Sequence, residues 1–434
     1  MKKILILSAI LLNSLSLMAL DGLKLVGGAT AMGWPGDPAL ENAGFVLTPD
    51  ENGNFIYEGM LYRGNSHDGE FKFMVKENEE FGGWGSKQLH PEKATEIGID
   101  NVSTPANFDG TDDRKWTVTV TGWYRISVTD TTDGITVDTE FIKNPFRIVG
   151  GAYKGWSTGP DNILALTYSH NDDNGTVYAA ECVLNHAESE DKDGSAFKLI
   201  ASDYSWMPCV CAKNEPFAEI GAFKPFEGEA YLRTAETEDQ PDFKWYIVNS
   251  GLYKVSLTVN GNAEYKLSAD YVPSLTVMTG DKEIECKSEK GEESVIFNIT
   301  FEANDSYALR LSGALDADGY GWFLVPALAA DEPSTLENSD TSLPAKFKTE
   351  WCTLDKARQT VDSGKYTLKA DLSDWNNPTV QVESSITTGI AHIESDATEP
   401  VEFYTVQGVK VDHALTPGIY IVRSGNNVSK KVIK

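Results

Sequence analysis

The chain has 434 residues, of which 65 are acidic and 37 basic, and its formal net charge is −28 at pH 7. Such acidity disfavours nucleic acid and acidic glycans, because binding to either requires basic patches. A neutral ligand or a protein partner is favoured instead, and we expect no nucleic-acid partner. The length is sufficient for about two to four domains.

The N-terminus has the pattern of a cleaved secretory signal. Lys2 and Lys3 precede an apolar run from Ile4 to Leu12, and the small residue Ala19 ends the segment. A basic start, an apolar core and a small residue before the cleavage point are typical of exported proteins. We therefore predict a signal peptide over residues 1–19. The apolar run is shorter than the ~20 residues that a membrane-spanning helix needs, and we predict no transmembrane segment.

Residues 20–145 and 146–272 match each other along their length. The opening Leu23–Ala29 recurs as Phe146–Ala152, and Gly33-Trp34 recurs as Gly155-Trp156. The further pairs are Asn52-Gly53 with Asn174-Gly175, Phe71-Lys72-Phe73 with Phe197-Lys198-Leu199, Trp84 with Trp206, and Lys115-Trp116 with Lys244-Trp245. The constant order and similar spacing of these pairs predict a tandem domain duplication.

Within each repeat the hydrophobic pattern has the two-residue period of a β-strand. Trp116 and Val118 alternate with Thr117 and Thr119, and Asn-Gly turns separate short apolar runs. Many short alternating strands predict an all-β fold of tandem immunoglobulin-like β-sandwiches. By the same alternation, Trp116 and Trp245 belong to the core.

Residues 273–384 form a third, diverged region, which we predict to be another β-sandwich. Segments 294–301, 307–311 and 364–368 have strand patterns, and Ala330–Ala345 is a long polar loop. The region lacks the Val-Gly-Gly opening of the two repeats. We assign Trp322, which follows Asp318-Gly319-Tyr320-Gly321, to an exposed loop.

Five cysteines fall into two groups, with Cys182, Cys209 and Cys211 in one and Cys286 and Cys352 in the other. An exported chain reaches an oxidising compartment, where one disulfide per group is feasible. We predict a disulfide between Cys182 and either Cys209 or Cys211. A zinc site requires more ligands near these cysteines than the sequence shows, so no metal and no cofactor are predicted.

The last segment, residues 385–434, differs from the rest in charge. From Ile386 onward it holds five acidic and five basic residues, so the whole negative charge lies ahead of it. Short strand patterns at Val401–Val411, Leu415–Arg423 and Lys430–Lys434 are separated by glycine and proline turns. This pattern predicts a small C-terminal β-sandwich module.

The tail resembles the C-terminal sorting domain of the type IX secretion system. The matching residues are Tyr404–Gly408, Pro417–Val422 and the terminal Lys430–Lys434. The resemblance covers the last fifty residues and implies that the outer-membrane secretion machinery is a partner. It also implies export through the periplasm to the cell surface or the medium. The alternative is an ordinary capping β-domain.

The repeats resemble the domains of SusE/SusF-type outer-membrane starch-binding proteins. The resemblance rests on the Leu-Val-Gly-Gly-Ala opening, the following Gly-Trp, the Asn-Gly-x-Phe strand, and Phe-Lys-Phe followed by Trp. It covers about two-thirds of the chain and implies non-catalytic binding of a neutral, starch-like polysaccharide or oligosaccharide. Those proteins are lipid-anchored, whereas this chain has a sorting-type tail, so membership of a starch-uptake complex is not implied.

The chemistry of sugar recognition selects the candidate residues. A sugar ring has a flat apolar C–H face that stacks on an exposed Trp, and a rim of hydroxyls that Lys can bind. The candidates are Trp34, Lys72 and Trp84 in the first repeat, and Trp156, Lys198 and Trp206 in the second. The alternative assigns the tryptophans to the core and the lysines to solvated strand positions.

No catalytic motif for hydrolysis or phosphate chemistry occurs in the sequence, so we do not predict an enzyme. Two functions remain beside sugar binding. One is a surface structural or adhesive protein that binds other proteins, and the other is a cryptic glycoside hydrolase with an unrecognised carboxylate pair. An exposed Trp pair with a nearby Lys favours sugar binding, buried tryptophans favour the structural role, and two facing carboxylates in a cleft favour the hydrolase.

Deleting residues 385–434 should trap the protein in the periplasm, because the tail carries the sorting signal. Cell fractionation with immunoblotting, and surface labelling of intact cells, measure this. Undiminished surface display of the truncated chain would contradict the assignment.

Overall fold

The structure is a computed structural model, and its description covers residues 20–34, 44–64, 69–77, 79–81, 87–108, 113–201, 205–291, 293–311, 315, 318–327, 345–384, 401–411, 418–424 and 427–433. The prediction of an all-β fold is confirmed, since strands in four sheets make up most of this part of the chain. Short helical turns occur at Pro160–Asn162, Lys192–Ser195, Ala235–Thr237 and Leu354–Ala357, the last being α-helix α1. No helix of the described residues is long and apolar enough to cross a membrane. The signal peptide and the polar loop 330–344 lie outside the described residues.

The first module is a sheet of twelve strands. Its strands are β1 Leu23–Val26, β2 Phe45–Val46, β3 Thr48–Pro49, β4 Phe55–Leu61, β5 Glu70–Glu77, β6 Glu80–Phe81, β7 Gln88–Pro91, β8 Thr95–Ile97, β9 Val102–Asn107, β10 Trp116–Val118, β11 Gly122–Thr131 and β12 Gly134–Phe141. The main path runs β1-β5-β7-β9-β12-β11-β4-β3, and β10 lies against β5 and, in parallel, against β8.

The second module has ten strands. They are β13 Phe146–Val149, β14 Leu164–Asp172, β15 Gly175–Leu184, β16 Ala196–Ile200, β17 Cys209–Ala212, β18 Phe217–Ile220, β19 Phe226–Arg233, β20 Lys244–Ile247, β21 Gly251–Val259 and β22 Tyr265–Tyr271. The path β13-β16-β17-β19-β22-β21-β15-β14 follows the order of the first module, and β13 also pairs with β14. The eight strands therefore form a closed ring.

The third module has nine strands in the same arrangement. They are β23 Leu275–Thr279, β24 Lys282–Lys290, β25 Val295–Ala303, β26 Ser306–Leu311, β27 Tyr320–Pro326, β28 Ala345–Thr353, β29 Gln359–Thr360, β30 Gly364–Asp371 and β31 Thr379–Ser384. The strands predicted here over 294–301, 307–311 and 364–368 are confirmed, and the ring closes through β23 and β26. Despite its diverged sequence, this region has the topology of the second module.

A buried tyrosine next to the start of one strand recurs in all three modules. The hydroxyl groups of Tyr124, Tyr253 and Tyr366 each donate a hydrogen bond to the backbone oxygen four residues upstream, at 2.7, 2.7 and 2.6 Å. This is the tyrosine corner of immunoglobulin-like sandwiches, which fixes the crossing from one layer to the next. The third module therefore has the tyrosine corner as well as the strand order of the repeats.

The cores are aromatic and follow the predicted alternation. Trp116 and Trp245 are fully buried, as predicted. Trp116 stacks on Phe71 with ring centroids 5.4 Å apart, and Trp245 lies 5.5 Å from Phe197. Because both partners of each pair lie on adjacent strands in register, these contacts join β5 to β10 and β16 to β20.

The chain divides into two compact units, Met1–Val272 and Pro273–Lys434. Within the first unit the two repeats are in contact, since the hydroxyls of Tyr62 and Tyr265 are 2.6 Å apart. Burial raises the pKa of Tyr62 to about 12, so this contact is between neutral groups at physiological pH. The finer division into modules at residues 145 and 384 stays a prediction.

A fourth sheet forms the tail and contains β32 Val401–Thr405, β33 Lys410–Val411, β34 Gly418–Ser424 and β35 Asn427–Ile433 in the order β33-β32-β34-β35. The predicted strand content of this segment is confirmed. Glu402 contacts both Lys410 and the Tyr404 hydroxyl, at 2.7 Å each, and its pKa is lowered chiefly by Lys410. The sorting role of the tail stays a prediction.

Replacing Tyr253 by Phe should lower the free energy of unfolding by about 1 kcal/mol, because it leaves the backbone oxygen of Asn249 without its buried donor. Urea unfolding followed by tryptophan fluorescence measures the change. Tyr168→Phe is the matched control, since no described residue accepts a hydrogen bond from its hydroxyl. Equal stability of the two variants would contradict a structural role for the corner.

Candidate functional site

A tight glycine loop opens each repeat and covers one strand. Gly27 bridges to Gly33, and Gly150 bridges to Gly155. Gly27 and Gly150 have φ angles of 142° and 150°, and a Cβ on either would lie 2.2 or 2.3 Å from a backbone oxygen of the neighbouring strand. Glycine is therefore required for the loop to pack this closely. The tryptophans that follow, Trp34 and Trp156, are half-buried.

A lysine lies on the outer face of the strand that each loop covers. Lys72 pairs in register with Val26, and Lys198 with Val149. The alternation turns these lysines away from the core, but they are only 6% and 5% exposed. The alternative of solvated strand lysines is therefore wrong, because both side chains are almost fully buried.

The second repeat brings its three candidate residues together. The Nζ atom of Lys198 is 2.8 Å from Asp242 Oδ1 and 5.4 Å from the ring centroid of Trp206. The rings of Trp156 and Trp206 are 6.3 Å apart, with 38° between their planes. Trp206 is 42% exposed, so this pair presents an aromatic face to solvent.

Each repeat has a second lysine beside its tryptophan, and this lysine was not among the sugar-binding candidates chosen from the sequence. Lys244 Nζ lies 5.4 Å from the Trp156 ring and 3.0 Å from Asp193 Oδ1. The Trp156 indole donates a hydrogen bond to the backbone oxygen of Asp193, at 2.9 Å. The side chain of Lys244 is 20% exposed against 6% for Lys198, so Lys244 is the more accessible ammonium. The recurrence of Lys115-Trp116 as Lys244-Trp245 was the sequence signal for it.

The first repeat has the corresponding arrangement. Lys72 and Lys115 lie 5.8 and 5.7 Å from the centroid of Trp34, on either side of Asp113. Asp113 contacts Lys72 at 2.8 Å through one oxygen and Lys115 at 2.9 Å through the other. The candidate Trp84 lies outside the described residues.

The ion pairs shift the pKa values of both aspartates downward. Hydrogen bonds from Lys72 and Lys115 lower the pKa of the Asp113 carboxyl. Partial burial raises the pKa of Asp242, but the contacts with Lys198 outweigh it, and the net shift is downward. Both aspartates are therefore ionised at neutral pH.

The cysteines of the second repeat do not form the predicted disulfide. Cys182, Cys209 and Cys211 are all free thiols. Cys182 lies on β15, and the other two lie on β17; three strands separate β15 from β17 in either direction round the ring. Strands are ~4.8 Å apart, so the separation exceeds the ~7 Å Cα distance that a disulfide tolerates.

Cys209 and Cys211 are instead close to each other, with their sulfurs 3.6 Å apart. The contact between the two thiols lowers the pKa of Cys209 and raises that of Cys211. Asp242 accepts a hydrogen bond from Cys211 at 3.4 Å. Both thiols thus belong to the surroundings of Lys198.

The third module does not repeat this lysine site. Strand register places Ala308 where the second module has Lys198. Ala308 pairs with Met278 of the opening strand β23, and Lys198 pairs with Val149 of the opening strand β13. Ala308 packs with Phe323, Val325 and other apolar side chains, including Leu354 and Ala357 of α1. The helix therefore covers the face that carries the site in the repeats.

An aromatic cluster occurs in the third module instead. Trp322 and Trp351 are cross-strand partners on β27 and β28, with ring centroids 5.7 Å apart. Tyr320 stacks on Trp351 at 6.4 Å and 23°, and Trp322 contacts the buried Trp375. Tyr320 is 40% and Trp351 48% exposed, so the cluster runs from the interior to solvent.

The assignment of Trp322 to an exposed loop was wrong, since it lies on β27 and is half-buried. The strand pattern Tyr320-Gly321-Trp322-Phe323 could have shown this, because residues two apart on a strand share a face. Trp351 was missed because its partner strand begins far along the chain.

Comparisons with known proteins add little to this geometry. No protein-family model and no curated protein matches the chain. Among solved structures, SusF from Bacteroides thetaiotaomicron matches over 84% of this chain and 72% of its own length, at 14% identity and a TM-score of 0.21. At these values the similarity carries no conclusion about function.

Replacing Asp242 by Asn should destabilise the protein, because the buried Lys198 ammonium loses its counter-charge. We expect a loss of about 1 kcal/mol, less than for a fully buried pair, since Asp242 is 40% exposed and solvent screens it. The pKa of Asp242 is lowered in the folded state, so its contribution is present above the ordinary value of 3.8 and is lost as pH falls through the folded value.

Urea unfolding at neutral and at acid pH measures both effects. The difference between wild type and Asp242→Asn should shrink on acidification. Glu227→Gln, which removes an exposed ion pair with Lys266, is the control and should have little effect at either pH. A difference that persists unchanged at acid pH would argue against the ion pair as its cause.

Proposed function

We propose that the chain is a non-catalytic carbohydrate-binding protein that is exported and displayed at the cell surface. The observation that carries the proposal is the tryptophan pair, with Trp206 exposed and Trp156 half-buried, and with Lys198 and Lys244 beside the rings. A solvent-facing tryptophan pair with an adjacent lysine is the arrangement that distinguishes sugar binding from a purely structural role.

The chemistry of the pair fits a pyranose ring. Two aromatic rings inclined by 38° form a shallow, curved apolar surface on which the C–H faces of adjacent sugar units can stack. Lys244 donates hydrogen bonds to hydroxyl groups at the edge. Lys198 is too buried to be a principal donor, and its role is to hold the Trp206 ring and the Asp242 carboxylate in place.

The charge of the chain points to a neutral ligand. A net charge of −28 opposes binding of sulfated or uronic-acid polymers through long-range repulsion. The lysines beside the rings are already paired with Asp193 and Asp242, so they offer no unpaired positive patch to an anion. A starch-like neutral glucan is the proposed ligand class.

The exposed Tyr320–Trp351 stack supplies a second surface of the same chemistry in the third module. A single shallow site gains little net free energy, because ordering the ligand offsets the contacts. Several sites on one chain raise the apparent affinity for a long polymer through effective concentration. The tail completes the proposal by sending the protein to the outer surface, where polymers occur.

Trp206→Ala and Trp351→Ala should each weaken binding to a soluble α-glucan polymer more than binding to a short oligosaccharide, and the double variant should weaken it further. The reason is that the polymer engages both surfaces, whereas the oligosaccharide occupies one. Affinity gel electrophoresis with the polymer and calorimetry with the oligosaccharide measure the two.

Val248→Ala is the matched control, because Val248 is 39% exposed but not aromatic. We expect it to bind both ligands as the wild type does. If the wild type binds no member of a panel of neutral glycans, or if the double variant binds unchanged, the proposal is wrong and the adhesive function takes its place.

A further inference from the structure

Three potential metal ligands meet beside Lys198 on the outer face of the second module. The two thiol sulfurs of Cys209 and Cys211 and a carboxylate oxygen of Asp242 all lie within 4.8 Å of one another. The sulfurs are 3.6 Å apart, and Cys211 Sγ is 3.4 Å from Asp242 Oδ1. Two sulfurs and a carboxylate oxygen this close together can all be ligands of one metal ion.

The backbone fixes the positions of these groups. Cys209 and Cys211 are two residues apart on β17, so their side chains leave the strand on the same side. Asp242 precedes β20, which pairs with β16 next to β17. Both sulfurs are fully buried against Val149 and Ile200, whereas Asp242 is partly exposed and gives access from solvent.

We propose that Cys209, Cys211 and Asp242 bind a zinc ion. Tetrahedral zinc with bonds of about 2.3 Å to sulfur and about 2.0 Å to oxygen puts two sulfurs about 3.8 Å apart and a sulfur about 3.5 Å from an oxygen. The observed separations of 3.6 and 3.4 Å match both values. Two thiolates exclude calcium and magnesium, which use oxygen ligands, and the carboxylate makes the set harder than copper(I) prefers.

The charges of the cluster balance when zinc is bound. Binding displaces one proton from each thiol, so that two thiolates and the Asp242 carboxylate face the zinc dication and the Lys198 ammonium. The three negative charges equal the three positive ones, which suits a largely buried position. The protein supplies three ligands, and water from the side of Asp242 fills the fourth position.

The other modules show that the fold does not need these thiols. Strand register places Gln88 and His90 of β7 where Cys209 and Cys211 lie, and Phe323 and Val325 take these positions in the third module. The first module nevertheless keeps its own buried lysine, Lys72, in an ion pair with the exposed Asp113. The thiol pair is therefore an addition particular to the second module.

Titration of the reduced, metal-free full-length protein with ZnCl₂ in a calorimeter tests the proposal. We expect one zinc ion per chain, and loss of this binding in Cys209→Ala/Cys211→Ala. Cys182→Ala is the matched control, since it removes another buried thiol of the same module and should keep the site. Titration with Cd²⁺ adds a thiolate-to-metal absorption band whose intensity reports two sulfur ligands.

Asp242→Asn provides a second variant that leaves both thiols in place. It should weaken zinc binding but retain the cadmium–thiolate band, and urea unfolding shows whether each variant is folded. Zinc binding that persists unchanged in Cys209→Ala/Cys211→Ala, or its absence from the folded wild type, would overturn the proposal. No glycan is used, so this outcome is separate from that of the proposed sugar binding.

Discussion

A lysine held out of water on the outer face of a strand is the constraint on which the site in each repeat depends. Removing an ammonium from water is costly unless an opposite charge and good contacts replace the lost hydration. Asp113 and Asp242 supply the charge at 2.8 Å. Tryptophan rings lie 5.8 Å from Lys72 and 5.4 Å from Lys198. The aromatic rings near the ammonium therefore have defined positions rather than free rotation. A defined ring position is what stacking on a sugar face requires, because less side-chain entropy is then lost on binding.

The third module shows that the fold itself does not require a buried lysine at this position. It keeps the strand order, the closed ring and the tyrosine corner at Tyr366, but Ala308 replaces the lysine and α1 covers the face. Without a lysine at this position, apolar packing seals the face around Ala308. Exposed aromatic area occurs at another position, around Trp351. One scaffold thus supports two different ways of presenting aromatic rings.

Structural features that follow from a regular pattern of residues along the sequence could be predicted. The alternation around Trp116, the duplication and the strands of the tail are all periodic features, and each was predictable. The burial of Lys72 and Lys198 was not, because it results from a loop that is distant in sequence and from aspartates more than forty residues away. The disulfide prediction failed for the same reason. Cys182 shares a module with Cys209 and Cys211, but a ring topology places it on a distant strand.

Comparing the two repeats shows which contacts their lysine–aspartate pairs have in common and which contacts the second module adds. Asp113 is well exposed and contacts two lysines, one through each oxygen, whereas a single oxygen of Asp242 contacts both Lys198 and the thiol of Cys211. A carboxylate oxygen that an ammonium and a thiol share can exchange partners when the thiol loses its proton or gains a metal. Asp113, between two ammonium groups, has no such alternative. The two repeats therefore have the same fold but differ in what their aspartates contact. Of the two aspartates, Asp242 is the one that links its buried lysine to a thiol, which is a soft metal ligand.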